Sequence, residues 1–600
     1  MTELVFKGKE FVYNHHLAVP FRPLVPHPEK GIGPVALDGN LIIQGDNLHA
    51  LKALLPLYAG KVDCIFIDPP YNTGNEGWCY NDNVNAPMIK EWLDSNPIGI
   101  EDGLRHDKWC AMMWPRLRLL HELLADDGVF WMTLDENEIQ RARMMLDEVF
   151  GEGNFVDTVI WHKNYAPKAT VQYFSSDHDY VLVYAKDINK WKPNLLRRTA
   201  DQDEVYKNPD NDPRGRWRPN NLAARNYYSK GTYSITCPGG RVIPGPPPGS
   251  YWRISEEKLW ELHEDGRIWW GEDGNNVPAP KIFLSEVREG RVPQTIWHWS
   301  DVGHTQEAKK EIVSIFSEEG SEIFLTPKPR RLIQRIIELS SGSDAIYLDS
   351  FAGSGTTAHS VLAANKKDGG NRRFILVEME DYADRLTAER VRRVINGYDF
   401  KGTQKIELLR ERLNWRAIEK ADALVHKVQG IENLHGHEYD RIKKEVKDGE
   451  LIVTGEKTVA ERAEGLGGTF TYCTLGDPVE LDKVLSGETL PPYAGLGAAL
   501  FHMATNHALD PATVREEDFY LGATEGQHVW LIYKPDLDWL KSPEAALTLA
   551  RAKAFAASDP DKKHLVFAPA RFVSQKMLAE QNIPVEFVPL PFALYRIDRS

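Results

Sequence analysis

The amino-acid sequence predicts a multidomain α/β protein with a parallel sheet at its centre. Three observations carry that expectation. The chain has 600 residues, more than one hydrophobic core usually organises, so roughly two to four domains are expected. Its composition, 42% hydrophobic and 26% charged, is that of an ordered globular protein. Short apolar runs alternate with helical stretches over residues 40–150 and again over 325–397, the rhythm of a sheet with crossover helices.

The elements follow in order. LIIQGD (41–46) reads as a strand, NLHALKALL (47–55) as a helix and VDCIFID (62–68) as a buried strand. WPRLRLLHELLADDG (114–128) is an amphipathic helix with its turn, and VFWMTL (129–134) a further strand. Residues 1–155 are thus an N-terminal segment and one half of the core. Residues 156–305 change character. They are rich in Trp, Tyr, Gly and Pro, with PGPPPGS at 244–250, and read as a loop-rich insertion. The α/β rhythm returns over 306–400. Residues 401–465 carry dense charge and are expected as a helical connector. Residues 466–600, with strands such as HVWLIYK (528–534), are expected as a separate small α/β domain.

No stretch approaches the ~20 apolar residues of a membrane span, and the N-terminus MTELVFKGKEF lacks the apolar core of a signal peptide. The five cysteines are scattered without a CxxC pair, which points to a reducing, cytoplasmic setting. Glu76, Asp82, His15 and His16 have no second ligand at metal spacing, so no metal is expected. The net charge of −15 argues against a basic coat for nucleic acid. Residues 161–253 nevertheless hold fifteen Lys/Arg against eight Asp/Glu, an excess of seven. Nucleic acid could meet one such basic face; a solvated basic loop region fits this segment alone equally well. The candidate DNA contacts are Lys163, Tyr165, Arg214, Arg216 and Arg218, interleaved with Trp161, Trp217, Tyr227, Tyr228, Trp252 and Trp260.

Two motifs carry chemistry. IFIDPPYNTG (65–74) runs a buried strand into Asp68, Pro69, Pro70 and Tyr71. Proline has no N–H for the ladder and a fixed φ, so the strand stops and the corner is rigid. Downstream, DAIYLDSFAGSGTT (344–357) runs a strand ending at Asp349 into the loop Phe351, Ala352, Gly353, Ser354, Gly355 and a helix opening at Thr356 and Thr357. Glycines let backbone approach a ligand closely, and the helix N-terminus offers free N–H donors. Glu378 ends the next strand, about 20 residues on, at the spacing of a ribose-hydroxyl partner. The third glycine of a dinucleotide fingerprint and the lysine of a phosphate loop are both missing, which disfavours NAD, FAD and ATP.

With both motifs in view, the chain resembles the β-class amino-methyltransferases of DNA, in which DPPY precedes FxGxG as it does here. The likeness extends to the modification subunits of Type III restriction–modification systems. It is carried by QGDNLHALKALL (44–55), RGRWRPNNL (214–222), TPKPRRLIQRII (326–337) and FAGSGTTAHSVL (351–362) and covers roughly residues 35–400. The resemblance implies a Rossmann-like methyltransferase core with circularly permuted motif order, an inserted target-recognition domain at 156–305 and a C-terminal assembly domain. It implies S-adenosylmethionine as cofactor, held by Asp349, residues 351–357 and Glu378, with the target base at residues 68–71. It makes Asp46 a contact to the cofactor's adenosine, or else only the N-cap of the next helix. It makes Lys328 a partner for the cofactor's carboxylate, or else a solvated turn charge. Double-stranded DNA is the implied substrate and a homodimer the implied assembly. A restriction chain would supply ATP-driven translocation, since no GxxxxGK[ST] motif is present.

The chemistry explains the corner. An exocyclic amine is a poor nucleophile because its lone pair is delocalised into the ring. The Asp68 carboxylate and the Pro69 carbonyl can accept its two N–H bonds and return density to nitrogen, and Tyr71 offers a face for a flipped base. Adenine N6 is the expected target. Cytosine N4 is the alternative, in a class that more often carries Ser where Asp68 stands; a non-catalytic specificity subunit is the third reading.

Overall fold

The computed structural model describes residues 3–74, 103–167, 171–198, 203–287, 290–316, 326–340, 342–413, 415, 419–447, 449–478, 490–505 and 507–590; Glu76 and Asp82 lie outside them. The central feature is a ten-stranded sheet. In chain order its elements are β1 (Leu24–Pro26), β2 (Leu41–Gln44), helix α1 (Asn47–Tyr58), β3 (Val62–Ile67), α2 (Arg105–Leu123) and β4 (Leu124–Leu134). Then come β5 (Phe155–His162), β6 (His178–Ala185), β7 (Ile296–Trp297), α3 (Arg330–Ser340), β8 (Ile346–Asp349), α4 (Thr356–Asp368), β9 (Arg373–Glu378), α5 (Glu389–Asn396) and β10 (Thr471–Leu475).

The strand order is β1-β10-β2-β9-β8-β3-β4-β6-β5-β7. Strands β10, β2, β9, β8, β3 and β4 run parallel, and β6 then pairs antiparallel to β4. Parallel strands covered on both faces must be apolar throughout, and β2, β3 and β8 obey: Leu41, Ile42, Ile43, Ile65, Ile67 and Leu348 are fully buried. This is a Rossmann-like sheet, and its motifs are in permuted order. Strand β3, carrying the DPPY corner, precedes β8, carrying the glycine loop, yet the two pair directly through Tyr347↔Cys64 and Leu348↔Ile65. From β3 the chain moves to β4 on one side, and from β8 to β9 on the other. Such a divergence opens a crevice at the carboxyl ends of the two strands.

Residues Asn194–Pro293 form a compact unit of their own, narrower than the expected 156–305. The boundary moves because β5 and β6 pair with each other and with β4 in the main sheet. Within the unit, Leu222, Ile235, Cys237, Trp252, Leu259 and Trp270 build a small core around short two-stranded ladders. Trp161, Trp217 and Trp252 are buried, and Trp161 also lines the cavity described below.

The expected helical connector is mainly sheet. Gly397–Arg412 and Glu450–Glu464 form a long antiparallel ribbon, with Arg441–Lys447 as a third strand. A helix is described at Ala421–His435. Downstream, Thr471–Leu475 is not part of a separate domain, because it inserts in the main sheet between β1 and β2. A second sheet of four strands occupies 520–589 and packs its own core around Leu521, Val529, Leu531 and Phe567. Among the described residues no helix is long and apolar enough to cross a membrane.

Candidate active site

A cavity of about 650 Å³ opens at the carboxyl ends of β3, β8 and β9. Asp68, Pro69, Pro70 and Tyr71 line one wall; Asp349, Phe351, Ala352, Gly353, Ser354, Thr356, Thr357 and Glu378 line another. The two motifs that the chain separates by almost three hundred residues therefore face one space.

The corner is held from several directions. Thr133 Oγ1, from β4, donates to Asp68 Oδ1 at 2.5 Å, and Lys328 Nζ pairs with Asp68 Oδ2 at 2.5 Å. Trp109 Nε1, from α2, donates to the Pro70 carbonyl at 2.7 Å. Tyr71 donates its hydroxyl to Asp179 Oδ2 at 3.2 Å, and Lys163 Nζ meets the other oxygen of Asp179 at 2.5 Å. The Lys328 ammonium also stands 5.0 Å from the centre of the Tyr71 ring. Burial pushes the Tyr71 hydroxyl well above its ordinary pKa, reinforced by the Asp68 and Asp179 charges. Burial likewise raises Asp179, opposed by Lys163 and Lys328. Just past the corner, Asn72 adopts φ 58°, a left-handed conformation that needs support. Its amide donates to Arg105 O at 3.2 Å and to the fully buried Glu138, which His106 Nδ1 also meets at 2.5 Å.

The glycine loop is equally constrained. Gly353 has φ 50° and Gly355 φ 76°, values that side-chain-bearing residues rarely adopt. Gly353 N donates to Glu378 Oε2 at 2.7 Å, and Glu380 N donates to Glu378 Oε1 at 3.1 Å. Burial raises the Glu378 carboxyl against these donors. Asp349 accepts from Thr357 Oγ1 at 2.6 Å and from Phe351 N at 3.1 Å. Even so, burial pushes its carboxyl up to about 7. Buried Arg390, from α5, donates to Ser354 Oγ at 3.1 Å and Thr356 Oγ1 at 2.9 Å. The Ser350 hydroxyl lines the cavity, buried and with no hydrogen-bond partner among the described residues.

Asp46 does not line the cavity. It caps α1, accepting from Leu48 N at 2.8 Å, and pairs with buried Arg116 at 3.3 Å. The capping alternative is the one its geometry supports. Its neighbour Asn47 does line the cavity, donating to Ser350 O at 2.9 Å while accepting from Arg116 Nε. Lys328 reaches Asp68 and lines the cavity, so it is no solvated turn charge.

The DNA candidates divide. Lys163 lines the cavity and is committed to Asp179, while Tyr165 is 63% exposed. Within the compact unit, Arg214 grips buried Asp212 with Nε at 2.9 Å and a second nitrogen at 3.0 Å. Its guanidinium holds the Asp212 carboxyl well below the usual range. Arg218 donates to Tyr206 at 3.1 Å. Arg216 is exposed, with no ion pair among the described residues. Thr133, Asp179, Trp109, Glu138 and Arg390 were not visible as site residues. Thr133, Asp179, Trp109 and Arg390 lie on ordinary strands or helices and Glu138 in the turn before a helix, and only the packing of these elements brings them to the site.

Residues 62–389, over half of the chain and spanning both motifs, match the family model for DNA methylase with N6 or N4 specificity. The chain belongs to this DNA methylase family. The chain is 36% identical to the Type III restriction-modification enzyme StyLTI Mod subunit of Salmonella typhimurium over 356 residues, covering 57% of this chain and 52% of that one. It is 31% identical to the EcoPI Mod subunit of Escherichia phage P1, covering 57% and 58%. It is 30% identical to the Type II methyltransferase M.KpnI of Klebsiella pneumoniae, covering 58% and 82%. The chain thus spans a little over half the length of these Mod subunits.

Proposed function

We propose that this methylase is a site-specific DNA methyltransferase that moves a methyl group from S-adenosylmethionine to the N6 amine of a flipped adenine. The observation that carries the reading is the meeting of the Asp68–Tyr71 corner and the 351–357 loop in one cavity at the ends of adjacent strands. The cradle suits the cofactor. Gly353 and Gly355 allow close backbone approach, the unpartnered Ser350 hydroxyl can bond a ligand, and Glu378 is an acceptor for ribose hydroxyls. Bound there, S-adenosylmethionine would supply an electrophilic methyl group on a sulfonium.

The protein's own groups prepare the amine. Asp68 accepts one N–H and the Pro69 carbonyl the other, so density stays on nitrogen. Proline fixes the direction of that carbonyl before substrate arrives. Thr133 and Lys328 hold the Asp68 carboxylate in one orientation. The anchored Tyr71 ring gives the base a face to stack on. As the amine gains a methyl group it sheds a proton, and Asp68 is the carboxylate at hand to take it.

Asp68→Ala is expected to lose roughly 10²–10⁴-fold in turnover, the usual worth of one positioned proton-handling group, while cofactor titration stays nearly unchanged. Tritiated cofactor measures the first and calorimetry the second. Retention of more than a tenth of the turnover would sink the assigned role. Modification sequencing of treated DNA names the base, and N4-methylcytosine there would replace adenine as the target.

The reading extends to a cytoplasmic modification subunit of a Type III-like system, acting on double-stranded DNA as a homodimer and docking a restriction chain. The Mod-subunit relatives support its modification-subunit part. Exposed Arg216 is the proposed phosphate contact; its loss should reduce the logarithmic salt slope of DNA binding by about 0.9. An unchanged slope would release it from that role.

A further inference from the structure

We infer that Tyr173 and Phe174 form a wedge that fills the base stack beside the flipped nucleotide; the inference rests on the reading above that the cavity acts on duplex DNA. Strands β5 and β6 pair antiparallel, and the segment joining them leaves from the cavity wall. Lys163 and Asn164 at its start and Asp179 at its return all line the cavity. The neck of the segment is closed. Lys163 N and Asn164 N donate to Asp177 O at 2.9 and 3.2 Å, and Asn164 Nδ2 donates to Ser176 O at 3.1 Å. Beyond the neck, Tyr173 is 83% exposed and Phe174 93%, the greatest exposure of any large hydrophobic side chain among the described residues.

Single apolar side chains on a surface are ordinary, but two adjacent aromatic rings held almost wholly in water mark a contact site. Their position says what covers them. Phe174 stands two residues from Ser176, within about 7 Å of chain from the neck. The neighbouring base of a bound strand lies about 3.4 Å along the helix axis from the one in the cavity. Flipping a base leaves a flat apolar gap in the stack, the kind of gap that inserted apolar side chains fill. The joining residues 163–177 contain two lysines and one carboxylate, Asp177, whose Oδ1 accepts from Ser175 Oγ at 2.6 Å within the neck. The rings therefore face duplex DNA at the step vacated by the target.

The test uses the full chain carrying Phe174→Ala or the double change Tyr173→Ala, Phe174→Ala, and DNA containing the site mapped for the wild-type protein. Both side chains are exposed, and cofactor titration checks that each variant is folded. On the fully paired duplex, single-turnover methylation should fall by about tenfold or more, since the wedge offsets the cost of unstacking. On a duplex with an abasic site opposite the target, opening is already easy, and the variants should come within about twofold of wild type. Equal loss on both duplexes would overturn the wedge. An undiminished rate on the paired duplex would also overturn it and leave the rings to a protein partner. If the wild-type protein methylates neither duplex, the methyltransferase reading itself fails, which is a separate result.

Discussion

Asp179 ties Tyr71 to Lys163, and with its side chain 3% exposed it has little solvent to compensate for a lost partner. In Asp179→Asn a single neutral oxygen faces two donors, so one charge-assisted hydrogen bond worth about 1.5–3 kcal/mol is lost. Asp179→Asn is therefore expected to slow methylation by roughly 10–100-fold with cofactor affinity unchanged. If Asp179 acts through the tyrosine hydroxyl, the same change should cost far less in a Tyr71→Phe background, and a double-mutant cycle reads this directly. Additive losses would mean that Asp179 does something else. Asp349 gives a pH signature. Burial lifts its carboxyl from the ordinary 3.8 to about 7, so between those values the folded protein holds a proton that the unfolded chain has released. The folded state binds more protons there, so stability falls as pH rises through the window and levels off above about 7. The limiting slope is about 1.4 kcal/mol per pH unit for one proton. Asp349→Asn should lack this component. Urea midpoints of the two proteins, compared from pH 4.5 to 8, check it; parallel curves would contradict the raised carboxyl.

At the scale of elements, the β8–α4 turn depends on glycine. Gly355 heads α4 at φ 76°, and a Cβ there would meet Thr387 O at 3.1 Å. Gly355→Ala is expected to cost roughly 1–3 kcal/mol through left-handed strain and this close approach. It should also weaken cofactor binding, because the loop and the first turn of α4 move together through Arg390. Calorimetry showing full cofactor affinity would place the cofactor away from this loop. This turn was legible in the sequence because glycines and an apolar strand leave a local signature. The ribbon of Gly397–Arg412 and Glu450–Glu464 was not. Alternation of apolar and polar residues is confined to Tyr398–Lys401 at its start, and Ile406 is 42% exposed. Period-2 patterning was therefore too short to read, and pairing across nearly forty residues of chain decided the conformation.

For the whole molecule, the position of β10 alters what can be removed. Thr471–Leu475 pairs parallel with β2 and antiparallel with β1, and Tyr472 and Cys473 are fully buried. A chain ending near residue 400 would strip a strand from the main sheet and bare the edge of β2, an invitation to aggregate. It is expected to be insoluble, whereas a chain ending at 478 keeps the sheet. The part of the expected 466–600 assembly domain beyond residue 478 is then tested for a role in dimerisation by light scattering on the full chain and on the chain ending at 478. A dimer of undiminished stability in the shorter chain would move the interface elsewhere. The shorter chain also loses the contact of Leu509 N with Pro56 O at 2.6 Å, so a modest fall in thermal midpoint is expected as well.

By itself the sequence determined the parallel α/β core, the corner at Asp68–Tyr71, the loop at 351–355 and Glu378, because each has a local cause. Apolar runs make buried strands, proline ends them, and glycine alone tolerates the backbone that a close ligand requires. Only the tertiary structure decided which residues support those motifs. Thr133, Asp179, Lys163 and Lys328 reach the corner from four separate stretches of chain. A hydrogen bond between distant segments depends on how strands are ordered across the sheet. That order is set by burial of the whole apolar surface and leaves no mark at any single position.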